Sequence, residues 1–277
     1  MAETAGSKGL VSFVGAGPGA ADLITLRASD RLQRADVVVW ASSLVPEEIL
    51  AHCRPGTEVH DSSSMTLEDV LAVYERNEGK RIVRLHSGDP TIYGAIAEQI
   101  EWCVRSRRPF EIVPGVSSLG AAAAAFGVEL TVPGLSQSVV CTRLPGRTAS
   151  SMREGESPAA FASAGVTMAV FLSASRPWEL QSELLGEGSA YTSETPVGIA
   201  VRVSRPDQVL ARTTLGNLAW ELERIGARHT VLVLVGDVLD PAGSGARRSH
   251  LYHPDFAHGH RRRSWPGSTT GRPRGTE

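Results

Sequence analysis

The stretch Leu10-Val11-Ser12-Phe13-Val14-Gly15-Ala16-Gly17-Pro18-Gly19-Ala20 decides the fold. Leu10 to Val14 is a short apolar run and reads as a strand. Gly15 to Gly19 then forms a tight turn, and residues 20–34 have the spacing of a helix. A strand that delivers the chain through a glycine-rich turn into a helix is an α/β element. Gly15, Gly17 and Ala20 match the dinucleotide pattern G-x-G-x-x-G/A. Three features oppose a nicotinamide site. The second strand runs out through Trp40-Ala41-Ser42-Ser43, with no acid before Glu47 to hold a ribose. Asp36 precedes that strand and sits at the wrong edge. Pro18 removes an N–H from the turn. Taken alone, the turn leaves a nicotinamide site, a turn without ligand and a different ligand turn all open.

Working outward, apolar runs alternate with helical spacing as far as Ala125. Val37–Trp40 is the second strand. Leu67, Val70, Leu71 and Tyr74 form one helical face, with Thr66 and Asp69 placed as a capping box. Arg81–Leu85 is another strand. It leads through a Gly-Asp-Pro turn to Ile92, Ile96 and Ile100, spaced as a helix face that Pro90 would start. Phe110–Val113 is a strand and Ala121–Ala125 a small-residue helix. This alternation predicts an N-terminal α/β domain over residues 10–132 with a mostly parallel sheet. A different pattern follows Pro133-Gly134. Strands are expected at Ser138–Thr142, Thr167–Leu172, Val197–Val203, Gln208–Thr214 and Thr230–Val235, with helices at 177–185 and Leu215–Ile225. These strands are not each separated by a helix, so residues 135–240 read as an α+β domain with a mixed sheet. Residues 241–277 read as an extension whose last fifteen positions are too polar to order.

Composition narrows the function. Of 277 residues, 42% are hydrophobic and 21% charged, as in ordinary globular proteins. No apolar run approaches the ~20 residues of a membrane span, and Met1–Gly9 has no apolar signal-peptide core, so the expectation is a cytoplasmic protein with no membrane partner. Cys53, Cys103 and Cys141 form no CxxC pair and read as buried small hydrophobes. The formal net charge is −2, with the arginine-rich tail positive and the body acidic, so no nucleic-acid surface is expected. The only lysines are Lys8 and Lys80. Arginine suits carboxylate binding, although a GC-rich genome gives the same bias. His250, His253, His258 and His260 lack a helical His pair and supporting acids, so no metal is expected; the tail reads as a surface extension or a dimer contact.

Three ordered strings carry a resemblance. Val14-Gly15-Ala16-Gly17-Pro18-Gly19 with Asp22-Leu23-Ile24-Thr25-Leu26, then Ser87-Gly88-Asp89-Pro90-Thr91-Ile92-Tyr93-Gly94, then Pro114-Gly115-Val116-Ser117-Ser118 resemble the signatures of the tetrapyrrole methylases. The resemblance runs from about Leu10 to Asp240. Further strings are similar to the branch that methylates C11 of precorrin-4 in cobalamin synthesis. They are Ala41–Pro46, Leu85–Pro90, Tyr93–Ile96, Glu129–Pro133, Ser136-Gln137-Ser138, Thr142-Arg143, Gly146-Arg147-Thr148 and Leu251–Phe256. Gly134 and Leu119 depart from that pattern, outside the cofactor strings. The resemblance implies two α/β domains of the class III S-adenosylmethionine-dependent methylase fold with the cofactor in the interdomain cleft. It also implies a homodimer.

It further implies S-adenosylmethionine as cofactor, with S-adenosylhomocysteine as its product. Methyl transfer from a sulfonium to an electron-rich carbon is an in-line displacement that needs alignment and exclusion of water. No Ser-His or Cys-His nucleophile pair is needed, and none is evident. By motif, the cofactor would touch Pro18, Ser87, Gly88, Asp89, Ile92, Ser117, Ser118, Leu172 and Val203, with Val231 a weaker candidate. Asp89 alone would read equally well as a helix N-cap. The implied substrate is a polycarboxylate tetrapyrrole, for which Arg84, Arg143 and Arg147 are candidate forks and Ser42, Ser43 and Tyr93 candidate hydrogen-bonding groups; Arg176 and Arg202 also fall near the expected cleft. His86 and Tyr93 are candidate proton relays; a structural histidine at a strand end is the competing account. The alternatives are cobalt-precorrin-4 as substrate, another tetrapyrrole C-methylation such as that of uroporphyrinogen III, an NAD-dependent dehydrogenase, and a non-catalytic tetrapyrrole binder.

Overall fold

A computed structural model describes residues 8–145, 152–240, 242 and 248–274. The apolar run after Leu10 forms β1 (Val11–Gly15), fully buried. Helix α1 (Leu26–Arg34) begins later than the spacing predicts. Residues 21–23 form one 3-10 turn, Ile24 is extended, and the Thr25 hydroxyl caps the helix by accepting from the Ala28 amide at 3.1 Å. Strand β2 (Val37–Trp40) is buried, and β3 (Glu58–Asp61) was not legible because its Glu-Val-His-Asp sequence lies on an exposed edge. Helix α2 (Leu67–Arg76) carries the expected capping box between Thr66 and Asp69. Strand β4 (Ile82–His86) leads into the Gly-Asp-Pro turn.

Helix α3 (Ala97–Arg105) then starts five positions after Ile92, so Pro90 does not open it. The reason is backbone geometry: Tyr93 (φ 56°) and Ala95 (φ 51°) are left-handed, which no helix tolerates. Strand β5 (Phe110–Val113) and helix α4 (Ser118–Phe126) complete this part.

The first sheet has the order β3-β2-β4-β1-β5, and every pair is parallel. Its two faces are covered separately. Val14, Val38, Val83 and Leu85 pack with Ala28 and Leu32 of α1. Val11, Phe13, Val39 and Ile82 pack with Val70, Val73 and Tyr74 of α2 and Cys103 of α3. Because all five strands run the same way, the loops after β1, β2, β4 and β5 share one edge. Strand β1 lies between β4 and β5, whereas the dinucleotide fold places it beside β2. The G-x-G-x-x-A match therefore does not sit in that fold.

The second sheet contains β6 (Val139–Arg143), β7 (Thr167–Phe171), β8 (Pro196–Val201), β9 (Val209–Thr214) and β10 (Val231–Val235), in the order β6-β7-β10-β8-β9. It is mixed: β6 and β7 are parallel, β7 and β10 antiparallel. Helix α5 (Pro158–Ala162) was not foreseen, being only one turn of a serine-capped segment. Helices α6 (Pro177–Leu184) and α7 (Leu218–Ile225) meet through a Trp178–Trp220 edge contact at 5.3 Å. A 3-10 turn at Leu215–Asn217 precedes α7. By contacts the chain divides into two compact units. One is Met1–Gly127 with Ile199–Ala211 and Ile225–Leu232; the other is Val128–Gly198, Arg212–Arg224 and Val233–Glu277.

One expectation is corrected: Cys103 is buried, but Cys53 is only half-buried and Cys141 is exposed. In the C-terminal extension β11 (Arg261–Arg262) pairs with β12 (Arg272–Pro273). Arginine supplies what a core would: Arg261 donates to the carbonyls of Leu251, His253 and Phe256, and the Arg272 guanidinium lies 3.5 Å from the Trp265 ring centre. Among the described residues no helix is long and apolar enough to cross a membrane.

Candidate functional site

Four glycines from the three sequence strings meet at the C-terminal edge of the first sheet. Gly17 and Gly88 exchange backbone hydrogen bonds of 3.2 and 2.8 Å. A Cβ on Gly115 would lie 2.1 Å from the Gly88 oxygen, and one on Gly15 would lie 2.6 Å from the Gly115 Cα. Only hydrogen fits at Gly15 and Gly115, so the turns after β1, β4 and β5 are welded backbone to backbone.

Asp89 fastens the same junction. One carboxylate oxygen accepts from the Thr91 amide and hydroxyl, and the other accepts the Gly115 amide at 2.9 Å. It is not the N-cap of a helix, since α3 begins at Ala97. Burial pushes its carboxyl up, but the bonds from Thr91 and Gly115 together outweigh this and the net shift is downward. Ser117 caps α4, its oxygen accepting from the Leu119 amide at 3.2 Å. Ser118 opens that helix, whose positive end faces the same edge. Ile92 is half-buried in the loop after Asp89, where its amide donates to the Asp89 carbonyl at 3.3 Å.

Val203 joins this group. It is buried, and the next residue, Ser204, accepts the Ala20 amide at 2.9 Å. Leu172, at the end of β7 in the other unit, is 71% exposed. Val231 is buried at the start of β10. Left-handed backbone at residues other than glycine occurs in the first unit at Tyr93 (φ 56°), Ala95 (φ 51°), Arg202 (φ 45°) and Ser204 (φ 69°), among others, and in the second at Leu172 (φ 53°). Such strain persists only where the surroundings enforce it, commonly at ligand sites.

The loop after β2 adds Ser42 and Ser43. The Asp61 carboxylate accepts from the amide and hydroxyl of Ser42 and of Ser63, and these bonds hold its pKa well below the usual carboxylate range. Arg84 points from β4 toward this loop, donating to the Val39 carbonyl at 3.2 Å and the Ser62 hydroxyl at 2.8 Å. Its Nε is buried without a partner, and burial lowers its pKa. His86 is buried with Nε2 unpartnered; burial, then the nearby Arg84 charge, push its pKa down to about 3. It is neutral at physiological pH and a weak proton acceptor. Tyr93 is 45% exposed on the strained loop.

Arg143 lies on β6 in the second unit, with Nη1 3.4 Å from the Leu144 carbonyl. Arg147 lies outside the described residues. Arg176 is paired with Glu179, and Arg202 with Asp207. His250 stacks on His253 and meets Phe256 edge-on, and no group of three or more metal-ligating side chains occurs among the described residues. Sequence reading missed Asp61, Ser204 and Arg205, which touch the site only through long-range folding. Serine and aspartate in a polar loop carry no periodic signal.

The residues fit an adenosyl sulfonium. Gly15 and Gly115 let three turns close up at the sheet edge, serine hydroxyls and open backbone suit a ribose and an amino acid group, and Asp89 retains lone pairs. Residues 10–219 match the family model of the Tetrapyrrole (Corrin/Porphyrin) Methylases. The precorrin-4 C(11)-methyltransferase of Rhodococcus erythropolis is 41% identical, over 87% of this chain and 96% of that protein. A solved cobalt precorrin-4 methyltransferase, a cobalamin biosynthetic enzyme, is 40% identical with a TM-score of 0.78, over 84% of this chain and 96% of that one. The uroporphyrin-III C-methyl transferase of Thermus thermophilus, solved with S-adenosylhomocysteine, is 29% identical with a TM-score of 0.68, over 84% and 94%. The fold is thus that of the class III S-adenosylmethionine-dependent methyltransferases. Within that class, this chain belongs to the tetrapyrrole methylase family.

Proposed function

We propose that the protein transfers a methyl group from S-adenosylmethionine to C11 of precorrin-4 in cobalamin biosynthesis, giving precorrin-5. The observation that carries the reading is the junction of Gly15, Gly88 and Gly115 beneath Asp89, Ser117 and Ser118. The similarity to enzymes named for C11 methylation of precorrin-4 supports the position and the substrate. We further assign the protein to the cytoplasm, as a homodimer.

When bound, the cofactor supplies an electrophilic methyl and leaves as a neutral thioether. The chain's own residues hold and align. Pro18, Ser87, Gly88, Asp89, Ile92, Ser117, Ser118, Leu172 and Val203 would hold the adenosyl group, chiefly through backbone and small polar contacts. Arg84, Arg143 and Arg147, with Ser42, Ser43 and Tyr93, would take the acetate and propionate groups of the macrocycle. The work is positioning, which intramolecular models value at about 7–11 kcal/mol. His86 and Tyr93 are the candidate proton relays; burial keeps His86 neutral and a weak acceptor, which favours a structural role for it.

The test is to incubate the purified protein with precorrin-4 and methyl-labelled S-adenosylmethionine and to locate the label by NMR. Label at C11 supports the reading; label at another carbon, or none, overturns it. A parallel arm with cobalt-precorrin-4 decides whether the metal-bearing macrocycle is preferred. Calorimetric titration with S-adenosylhomocysteine, with NAD as control, tests the cofactor alone.

A further inference from the structure

We propose that Arg205 is a positioning residue that sets the distance between the cofactor turn and the Ser42–Ser43 turn; the inference rests on the methyltransferase reading. The arginine stem lies on Gly19: a Cβ there would fall 2.5 Å from Arg205 Cγ and 3.3 Å from Cδ. The guanidinium extends past the glycine turn and donates through Nη2 to the Leu44 carbonyl. Leu44 closes the turn that presents Ser42 and Ser43, its own amide donating to the Ala41 carbonyl at 3.0 Å. One side chain therefore spans both turns.

Arg205 is itself held from behind. Its amide donates to the Arg202 carbonyl at 3.1 Å, and the Gln208 amide donates to the Arg205 carbonyl at 3.0 Å. Ser204 bonds Ala20 through its hydroxyl and Gln208 through its amide. The left-handed φ of Arg202 and Ser204 shows that this segment is forced into shape. A rigid base, a stem packed on one turn and a donor fixed to the other make a strut. The arginine side chain reaches Gly19 and the Leu44 carbonyl, so its effect would pass through the Leu44 turn. Methyl transfer is sensitive to such spacing, since a misplacement of about 1 Å can cost roughly 100-fold in rate.

Two variants separate the strut from simple packing. Arg205→Met keeps the stem on Gly19 and removes the donor; Arg205→Ala removes both. Three quantities are read on the whole protein: the Kd for S-adenosylhomocysteine by calorimetry, the Kd for a stable porphyrin octacarboxylate by absorbance, and kcat for methyl transfer, with Tm recorded throughout. For both variants we expect porphyrin affinity to fall at least fivefold and kcat at least tenfold, with S-adenosylhomocysteine affinity within threefold of wild type. Arg205→Lys, which can still reach Leu44, should recover most of the loss. Porphyrin affinity unchanged in both variants overturns the proposal. So does full recovery in Arg205→Met, which would make the stem alone sufficient, and so does equal loss of both ligands with a fall in Tm. If the wild type binds both ligands without methylating precorrin-4, the assigned reaction fails, and the two affinities still test the strut.

Discussion

The Asp89 carboxylate and the Gly115 amide are joined by a 2.9 Å hydrogen bond across 26 positions of sequence. That bond ties the turn after β4 to the turn before α4, where Gly15 and Gly115 already leave no space for a side chain. The acid in the Gly-Asp-Pro string is therefore first a fastener, and its remaining acceptor capacity is what a ligand would use.

Asp89→Ala leaves the Gly115 amide and both Thr91 donors without their partner. A loss of about 1–3 kcal/mol in stability is expected, with weaker binding of S-adenosylhomocysteine. Urea unfolding and calorimetry measure the two. The stability term has a defined sign with pH. The Asp89 pKa is lowered in the fold, so its contribution is present above the unfolded carboxylate pKa of about 4 and is lost as pH falls through the folded value. The Ala variant should lack that acid-side slope.

Two glycines of the same region make opposite predictions. Gly115→Ala would place a Cβ 2.1 Å from the Gly88 carbonyl oxygen, so one turn must move. The expected cost is about 1–3 kcal/mol, with cofactor affinity lost alongside. Gly120, inside α4, has nothing within 4 Å of its would-be Cβ. Gly120→Ala should stabilise by about 0.5–1 kcal/mol through helix propensity and a less free unfolded chain. Equal Tm shifts in the two variants would contradict the junction.

His86 is expected to remain neutral far below the usual histidine range. Its pKa of about 3 in the fold lies below that of the unfolded chain, about 6.5. Between those values the unfolded state binds a proton that the native state refuses. Stability therefore falls with decreasing pH through this window, by up to about 1.4 kcal/mol per unit. Imidazole chemical shifts followed from pH 8 to pH 5 check this directly. A His86 resonance titrating near pH 6.5 would mean that water reaches the ring.

Much of this was legible from residue spacing. Val11–Gly15, Val37–Trp40 and Ile82–His86 are short, mainly apolar runs because central parallel strands are covered on both faces, while Phe110–Val113 is a half-exposed edge strand. The Thr66–Asp69 box announced α2 for the same local reason. What failed was whatever depended on distant partners. Ile92, Ile96 and Ile100 keep helical spacing, yet Tyr93 and Ala95 take left-handed backbone, so the first turns of the expected helix become a loop. Strand β3 is an edge whose polar residues have no period to read. The three glycine strings named the site region, but Arg205 was invisible because its partners, Gly19 and Leu44, are far from it in sequence.

Arg84 offers the sharpest division between folding and binding. Among the described residues no carboxylate pairs with its guanidinium, which bonds only the Val39 carbonyl and the Ser62 hydroxyl while Nε stays buried and unpartnered. A largely buried cation without a counter-charge is a cost to the fold, because desolvation exceeds what two neutral acceptors return. If a substrate carboxylate completes the site, removing the charge should harm binding more than stability. Arg84→Met keeps the bulk of the side chain, and its change in unfolding free energy is expected to stay within about 1 kcal/mol of wild type. Affinity for a porphyrin octacarboxylate should fall by about 2–3 kcal/mol, the worth of a charge-assisted hydrogen bond pair. Raising salt should narrow the gap between variant and wild type, since the lost term is electrostatic. A variant that binds the porphyrin normally and unfolds several kcal/mol earlier would instead make Arg84 a prop for the Ser62 loop. The carboxylates would then fall to arginines elsewhere, with Arg143 the first to replace.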